Sequence, residues 1–196
     1  MLIGFIGAPC SGKTTTAARL FAELKDNGIP AEFISEEARR YIAEKRCRDK
    51  EDGLPFSLDD LDQGRIATNQ FFSEKYMVES APQVVVVADS SVLNSALYMS
   101  DEFAARKGPA TMMEIAAKRY DIIFLCAPVQ LPAGSDPNRV HDAKQIAEIQ
   151  QKISELLVKY GLSGNPKVIP LGGPTNVRLQ AALSAVYNQM AQDANK

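Results

Sequence analysis

Short apolar runs alternate with stretches of helical periodicity along almost the whole chain. Leu2 to Ile6 has the length and character of a buried strand. Lys13 to about Asp26 carries Ala17, Leu20, Phe21 and Leu24 on one helical stripe before Asn27-Gly28-Ile29-Pro30 ends it. Glu32 to Ser35 reads as a second strand, and Glu36 to about Arg46 as a helix with Ala38, Tyr41 and Ile42 facing inward. Asp49 to Phe56, with Gly53 and Pro55, reads as a polar loop. Ser57 is the expected N-cap of a long helix that runs to about Glu79 and stops at Ala81-Pro82. Gln83 to Ala88 is nearly all β-branched, as a central parallel strand buried on both faces should be. Two helical stretches follow, Val92 to about Arg106 and about Thr111 to Arg119, and then a strand from Asp121 to Cys126.

Pro128 to Pro137 is the most irregular composition in the chain, rich in Pro, Gly, Ala and Ser. The next helix carries Ile146, Ile149, Ile153, Leu156 and Tyr160 at helical spacing, with Gly161 where a C′ glycine belongs. Val168 to Leu171 is the last strand; Pro170 cannot donate to a central ladder, which predicts a sheet edge. Thr175 to about Ala191 closes the chain as a helix. Strands that alternate with helices in this way predict an α/β fold of parallel β-α-β units. At 196 residues one domain is the expectation.

The junction between the first strand and first helix holds the most specific chemistry. Gly7-Ala8-Pro9-Cys10-Ser11-Gly12-Lys13-Thr14 fits G-x-x-x-x-G-K-[ST], the loop whose backbone N–H groups cradle phosphates at a helix N-terminus. Lys13 is the expected clamp on the β- and γ-phosphates and Thr14 the expected Mg²⁺ ligand, with Thr15 completing the nucleotide contacts. ATP and Mg²⁺ are therefore the expected cofactors. Gly172-Gly173, after the last strand, lets the backbone approach an adenine ring, with a plain turn as the alternative reading of Gly173.

In a parallel sheet, ligand groups gather at the C-terminal strand ends. Asp89 follows the third strand and suits the acid that holds the Mg²⁺ shell. Glu36 and Glu37 follow the second, where one carboxylate can orient an acceptor hydroxyl and take its proton; a helix start favours carboxylates in any case. Arg139 sits in Asp136-Pro137-Asn138-Arg139, within a lid-like segment of about residues 128–142, and is expected to close over the transferred phosphate. His141, the one histidine, has no triad or metal partners in sequence and reads as structural or surface.

Apolar content of 45% and a net charge of −2 describe a soluble protein and argue against a general nucleic-acid coat. The absence of a membrane span or basic leader, and three cysteines (Cys10, Cys47, Cys126) without metal-ligand spacing, predict a cytoplasmic location. Against that overall charge, residues 39–50 hold six basic and two acidic side chains, a local +4. This is either a solvated helix face or an anion-facing patch, with Arg39 and Arg40 the candidate acceptor contacts.

These features together resemble P-loop kinases of the nucleoside-monophosphate-kinase-like superfamily, nearest to AAA-type ATPase/kinase domains related to bacterial nicotinamide riboside kinase domains. The resemblance rests on Gly7 to Thr14, Ser35-Glu36-Glu37-Ala38-Arg39, Gln70 with Glu74, Asp89-Ser90-Ser91 with Tyr98, and Arg139. Asp89-Ser90-Ser91 lacks the arginine of the Asp-Arg-Ser triplet in deoxynucleoside kinases. The resemblance implies a three-layer fold with a five-stranded parallel sheet in the order 2-3-1-4-5. It also implies phosphate transfer from ATP to a hydroxyl of a nucleoside, nucleotide or related acceptor. Similar stand-alone kinases of bacteriophages phosphorylate hydroxymethylated pyrimidines within DNA, which would give the basic segment a polyanionic acceptor. An acceptor-independent NTPase switch is the reading from a different class.

Overall fold

The computed structural model describes residues 1–129 and 143–195. Five strands form one sheet: β1 (Leu2–Ile6), β2 (Ala31–Ile34), β3 (Val85–Ala88), β4 (Ile122–Cys126) and β5 (Val168–Leu171). Their order is β2-β3-β1-β4-β5 and every neighbouring pair is parallel, as the resemblance implied. β5 lies at the edge, where Pro170 leaves no central ladder bond unmade.

Seven α-helices are described: α1 (Lys13–Asp26), α2 (Glu37–Glu51), α3 (Asp60–Ser80), α4 (Asp101–Ala104), α5 (Lys107–Arg119), α6 (Ala143–Lys159) and α7 (Thr175–Asp193). A 3-10 helix, Val92–Tyr98, precedes α4. The strands are buried on both faces because each face meets a helical layer. On one side Phe5, Val87 and Phe124 pack with Ala17, Leu20 and Leu24 of α1 and with Leu179, Ala182 and Val186 of α7. On the other, Leu2, Ile6, Val86 and Ile123 pack with Ala67 of α3, Leu93 of the 3-10 helix, Met113 of α5 and Ile153 of α6. The continuous β-branched run at β3 is thus the signature of two-sided burial.

Four boundaries differ from the sequence expectation, each for a local reason. The helix expected to end near Arg46 continues to Glu51. Its inner face is polar: Tyr41 donates to Asp62 at 2.5 Å, and Lys45 lies 3.4 Å from Asp49 and 3.8 Å from Asp62. Asp49, which resembled the start of a loop, is therefore an inward-facing partner of Lys45. The following helix is capped by Asp59 rather than Ser57, because Asp59 and Asp62 exchange side-chain bonds with each other's amides. The stretch from Val92 breaks at Met99-Ser100, where Ser100 caps α4. The next helix starts at Lys107, four residues earlier than expected; Pro109 falls in its first turn, where its missing N–H costs nothing. Gly161, with φ +64, ends α6 as expected.

Candidate active site

The loop between β1 and α1 lies at the C-terminal edge of the sheet, where the strand order reverses on either side of β1. Its geometry is set by residues in left-handed conformation, Gly12 at φ +78 and Cys10 at φ +60. Alternation of right- and left-handed residues turns successive N–H groups to one side and makes an anion-binding concavity. Cys10 has the only non-glycine positive φ in the described residues, a strain that the surrounding loop holds in place. Gly7 is required for space: a Cβ there would meet Ser11 Oγ at 2.5 Å and the Cys126 carbonyl at 2.9 Å. Lys13 donates to the carbonyls of Gly7 and Ala8 at 2.9 and 3.0 Å, so its ammonium arches over the loop. Burial lowers its pKa from the ordinary lysine value, opposed most by the charge of Glu36, with Cys126 and Asp89 contributing in the same sense. Pro9 and Cys10 are half-buried, and Thr14 and Thr15 are exposed at the start of α1.

Asp89 is 3% exposed at the end of β3, close enough to the Thr14 hydroxyl for it to favour the ionised carboxylate. Burial pushes the Asp89 carboxyl up to about 6, with the Thr14 bond and Lys13 holding it down and Glu36 adding to the rise. Its Oδ1 is buried without a partner. Two hard oxygen donors, one of them an orphaned carboxylate oxygen, fit a hydrated Mg²⁺ that draws its remaining ligands from water and phosphate. Among the described residues there is no cluster of three or more His, Cys, Asp or Glu.

Glu36 and Glu37 stand in different environments although adjacent. Glu36 is the N-cap residue of α2, half-buried, and its charge acts on Lys13, Asp89 and Tyr98, which brings it to the phosphate-loop side. Glu37 faces α3: its oxygens accept from Arg40 at 2.6 and 3.1 Å and from Asn69 at 2.9 Å, while its amide donates to Gln70. Both line a cleft completed by Gln63, Gln70, Ser90, Ser91, Asn94, Ser95 and Tyr98. Desolvation and the nearby Glu36 push the Tyr98 phenol up to about 12, so it is a neutral donor at physiological pH. The lining holds hydroxyls, amides and carboxylates but no lysine or arginine among the described residues.

Arg39 is exposed, with Nε 3.8 Å from Glu36; Arg40 is bound to Glu37 and lies 3.8 Å from Glu44. Gly173 turns the chain after β5 at φ +79. Arg139, His141 and residues 130–142 of the lid-like segment lie outside the described residues.

Two buried residues were not legible as site residues in the sequence. Asn94 donates to the Phe5 carbonyl and to Ser90 Oγ, each at 2.8 Å, and accepts from the Gly7 amide at 3.4 Å, tying the loop's first residue to the segment after β3. Arg178 of α7 donates to Ser11, Gly173 and Ala127 carbonyls. Neither sits in a recognisable motif; each is brought to the loop from a distant part of the chain.

Fold and loop together define the class: a P-loop, kinase-like nucleotide-binding fold. A family profile described as AAA domain matches residues 2–169, and the chain belongs to that family. Among solved structures, the NadR protein in complex with NR matches with a TM-score of 0.69 at 22% identity, covering 96% of this chain and 51% of that one. The chain thus spans about half the length of that protein, and the likeness is one of fold. No curated protein sequence matches it. Among the described residues no helix is long and apolar enough to cross a membrane.

Proposed function

We propose that this chain is an ATP- and Mg²⁺-dependent kinase that transfers the γ-phosphate to a hydroxyl of a nucleoside-type acceptor. The carrying observation is the join at Glu36, whose charge acts on Lys13 and Asp89 while its side chain lines the separate polar cleft. Gly7 to Thr15 hold the triphosphate, Lys13 neutralises charge on the β- and γ-groups, and Thr14 with Asp89 holds the metal. When bound, Mg²⁺ supplies charge neutralisation across the β- and γ-phosphates. The acceptor hydroxyl is oriented by Glu36, which takes its proton as the new O–P bond forms; the bond from the γ-phosphorus to the β-bridging oxygen breaks and ADP leaves. Glu37 is held by Arg40 and Asn69, which favours Glu36 as the base. Arg139 retains its proposed role as a closing arginine.

A second reading has its own observation. Because α2 runs unbroken to Glu51, Arg39, Arg46 and Lys50 recur at i, i+7 and i+11 on one exposed face, a stripe about 16 Å long that starts at the cleft. Arg46 also stacks on Phe56, 4.8 Å from its ring centre. A hydroxymethylated pyrimidine in DNA, its backbone along this stripe, would use these basic side chains.

The test is phosphate transfer from labelled ATP to nicotinamide riboside, common nucleosides and nucleotides, hydroxymethyluracil-containing DNA and ordinary DNA. ADP formation should depend on one acceptor class and vanish in Lys13→Ala. Equal ADP formation with every acceptor sinks the kinase reading in favour of an NTPase switch; no transfer to the modified DNA removes the second reading.

A further inference from the structure

Arg178, in the first turn of α7, is 3% exposed, and its guanidinium donates to three main-chain carbonyls among the described residues. Nη1 donates to Ser11 at 2.6 Å, Nη2 to Ala127 at 3.0 Å and Nε to Gly173 at 2.8 Å. No carboxylate among the described residues forms an ion pair with it. A desolvated guanidinium without a counter-charge is costly, so its retention in the core calls for a reason beyond packing.

The three carbonyls belong to three segments: the phosphate loop, the residue after β4 and the turn after β5. The bond to Ser11 matters most. A trans peptide is planar, with its C=O and the next residue's N–H pointing in opposite directions. Holding the Ser11 carbonyl from behind therefore turns the Gly12 N–H the other way, toward the concave side of the loop. A methyl group placed on Gly12 would lie 3.6 Å from Nη1, so the guanidinium backs directly onto this peptide. Because no carboxylate among the described residues pairs with it, its charge also adds to the positive field of the loop. The planar fork is suited to this; a lysine ammonium supplies the charge but not three fixed donors in one plane.

Resting on the nucleotide-binding reading above, we propose that Arg178 is a positioning residue for the triphosphate: it fixes the Ser11–Gly12 peptide against the turn at Gly173, so that the phosphate loop is preformed for its ligand. Its action is through the loop backbone, and its effect falls on the nucleotide rather than on the acceptor.

The experiment compares full-length wild type, Arg178→Met and Arg178→Lys for ADP affinity by calorimetry, for KM of ATP and of the acceptor, and for thermal unfolding. Both variants should weaken ADP at least about tenfold and raise KM for ATP in proportion, with KM for the acceptor unchanged. Added methylguanidinium should recover part of the ADP affinity in an Arg178→Ala protein. If Arg178→Met does not fold, Arg178→Lys decides the matter, since it retains the charge and the side-chain volume. Lower melting temperature with wild-type ADP affinity in a folded variant overturns the proposal, as does an equal rise in both KM values. A wild-type protein that binds no ADP overturns the nucleotide reading itself; a wild type that binds ADP beside variants of equal affinity overturns only the role of Arg178.

Discussion

Glu74 provides a test of the buried polar network beside the acceptor cleft. It lies on α3, 1% exposed, and accepts from Gln70 Nε2 at 3.0 Å and from the Tyr120 hydroxyl at 2.7 Å. Tyr120 in turn accepts from the Val92 amide at 2.9 Å, and Gln70 accepts from the Glu37 amide at 3.2 Å. Desolvation pushes the Glu74 carboxyl from 4.5 up to about 7, with the two donors, the Arg119 charge and the Val92 amide opposing. Between these values the native protein keeps a proton that the unfolded chain gives up. Stability therefore falls as pH rises through this window, with no penalty below it and a constant one above it. At about 1.4 kcal/mol per pH unit the whole effect is about 3 kcal/mol, most of which falls between pH 5 and 8. Glu74→Gln removes the titration while keeping the shape and one acceptor. Urea unfolding of both proteins at pH 5, 6, 7 and 8 should show wild type losing roughly 2–3 kcal/mol relative to the variant across the range. Asp89, pushed up to about 6, titrates in both proteins and cancels in the comparison. A constant stability difference over that pH range would refute the reasoning.

The two glutamates at the start of α2 should separate cleanly. Glu36→Gln is expected to lower acceptor-dependent turnover by about 10²- to 10⁴-fold with an unchanged melting temperature, whereas Glu37→Ala should cost about 1–3 kcal/mol of stability through the lost Arg40 and Asn69 bonds. Steady-state kinetics beside thermal melts decides; the opposite pattern would exchange the two roles. Gly7→Ala should destabilise by about 1–3 kcal/mol, because the Cβ contact with the Cys126 carbonyl involves backbone that cannot swing away. Denaturant unfolding of that variant with wild-type stability would mean the loop relaxes around the added methyl.

What the residue pattern determined by itself was the local physics. Two-sided burial wrote continuous apolar strands at β1, β3 and β4, Pro170 marked an edge, and Gly7, Gly12, Lys13 and Thr14 spelled a loop whose ligand contacts come from a single short stretch of chain. Such features are legible because neighbouring residues supply nearly all of the constraint. Where the constraint came from elsewhere, the pattern misled: Asp49 resembled the start of a polar loop, but its pairing with Lys45, itself near Asp62 a helix away, made it part of the inner face of a longer α2. Only the tertiary structure separated Glu36 from Glu37, since their difference lies in what faces them, Lys13 and Asp89 for one and Arg40 and Asn69 for the other. The same holds for Asn94 and Arg178, 87 and 167 residues in sequence from the loop residues they hold. A hydrogen bond or a buried charge acts over a few ångströms of space and leaves no trace in spacing along the chain. The phosphate loop was therefore readable from one strand-loop-helix, and the supports that hold it, with the separation of Glu36 from Glu37, existed only once the sheet had brought its strand ends together.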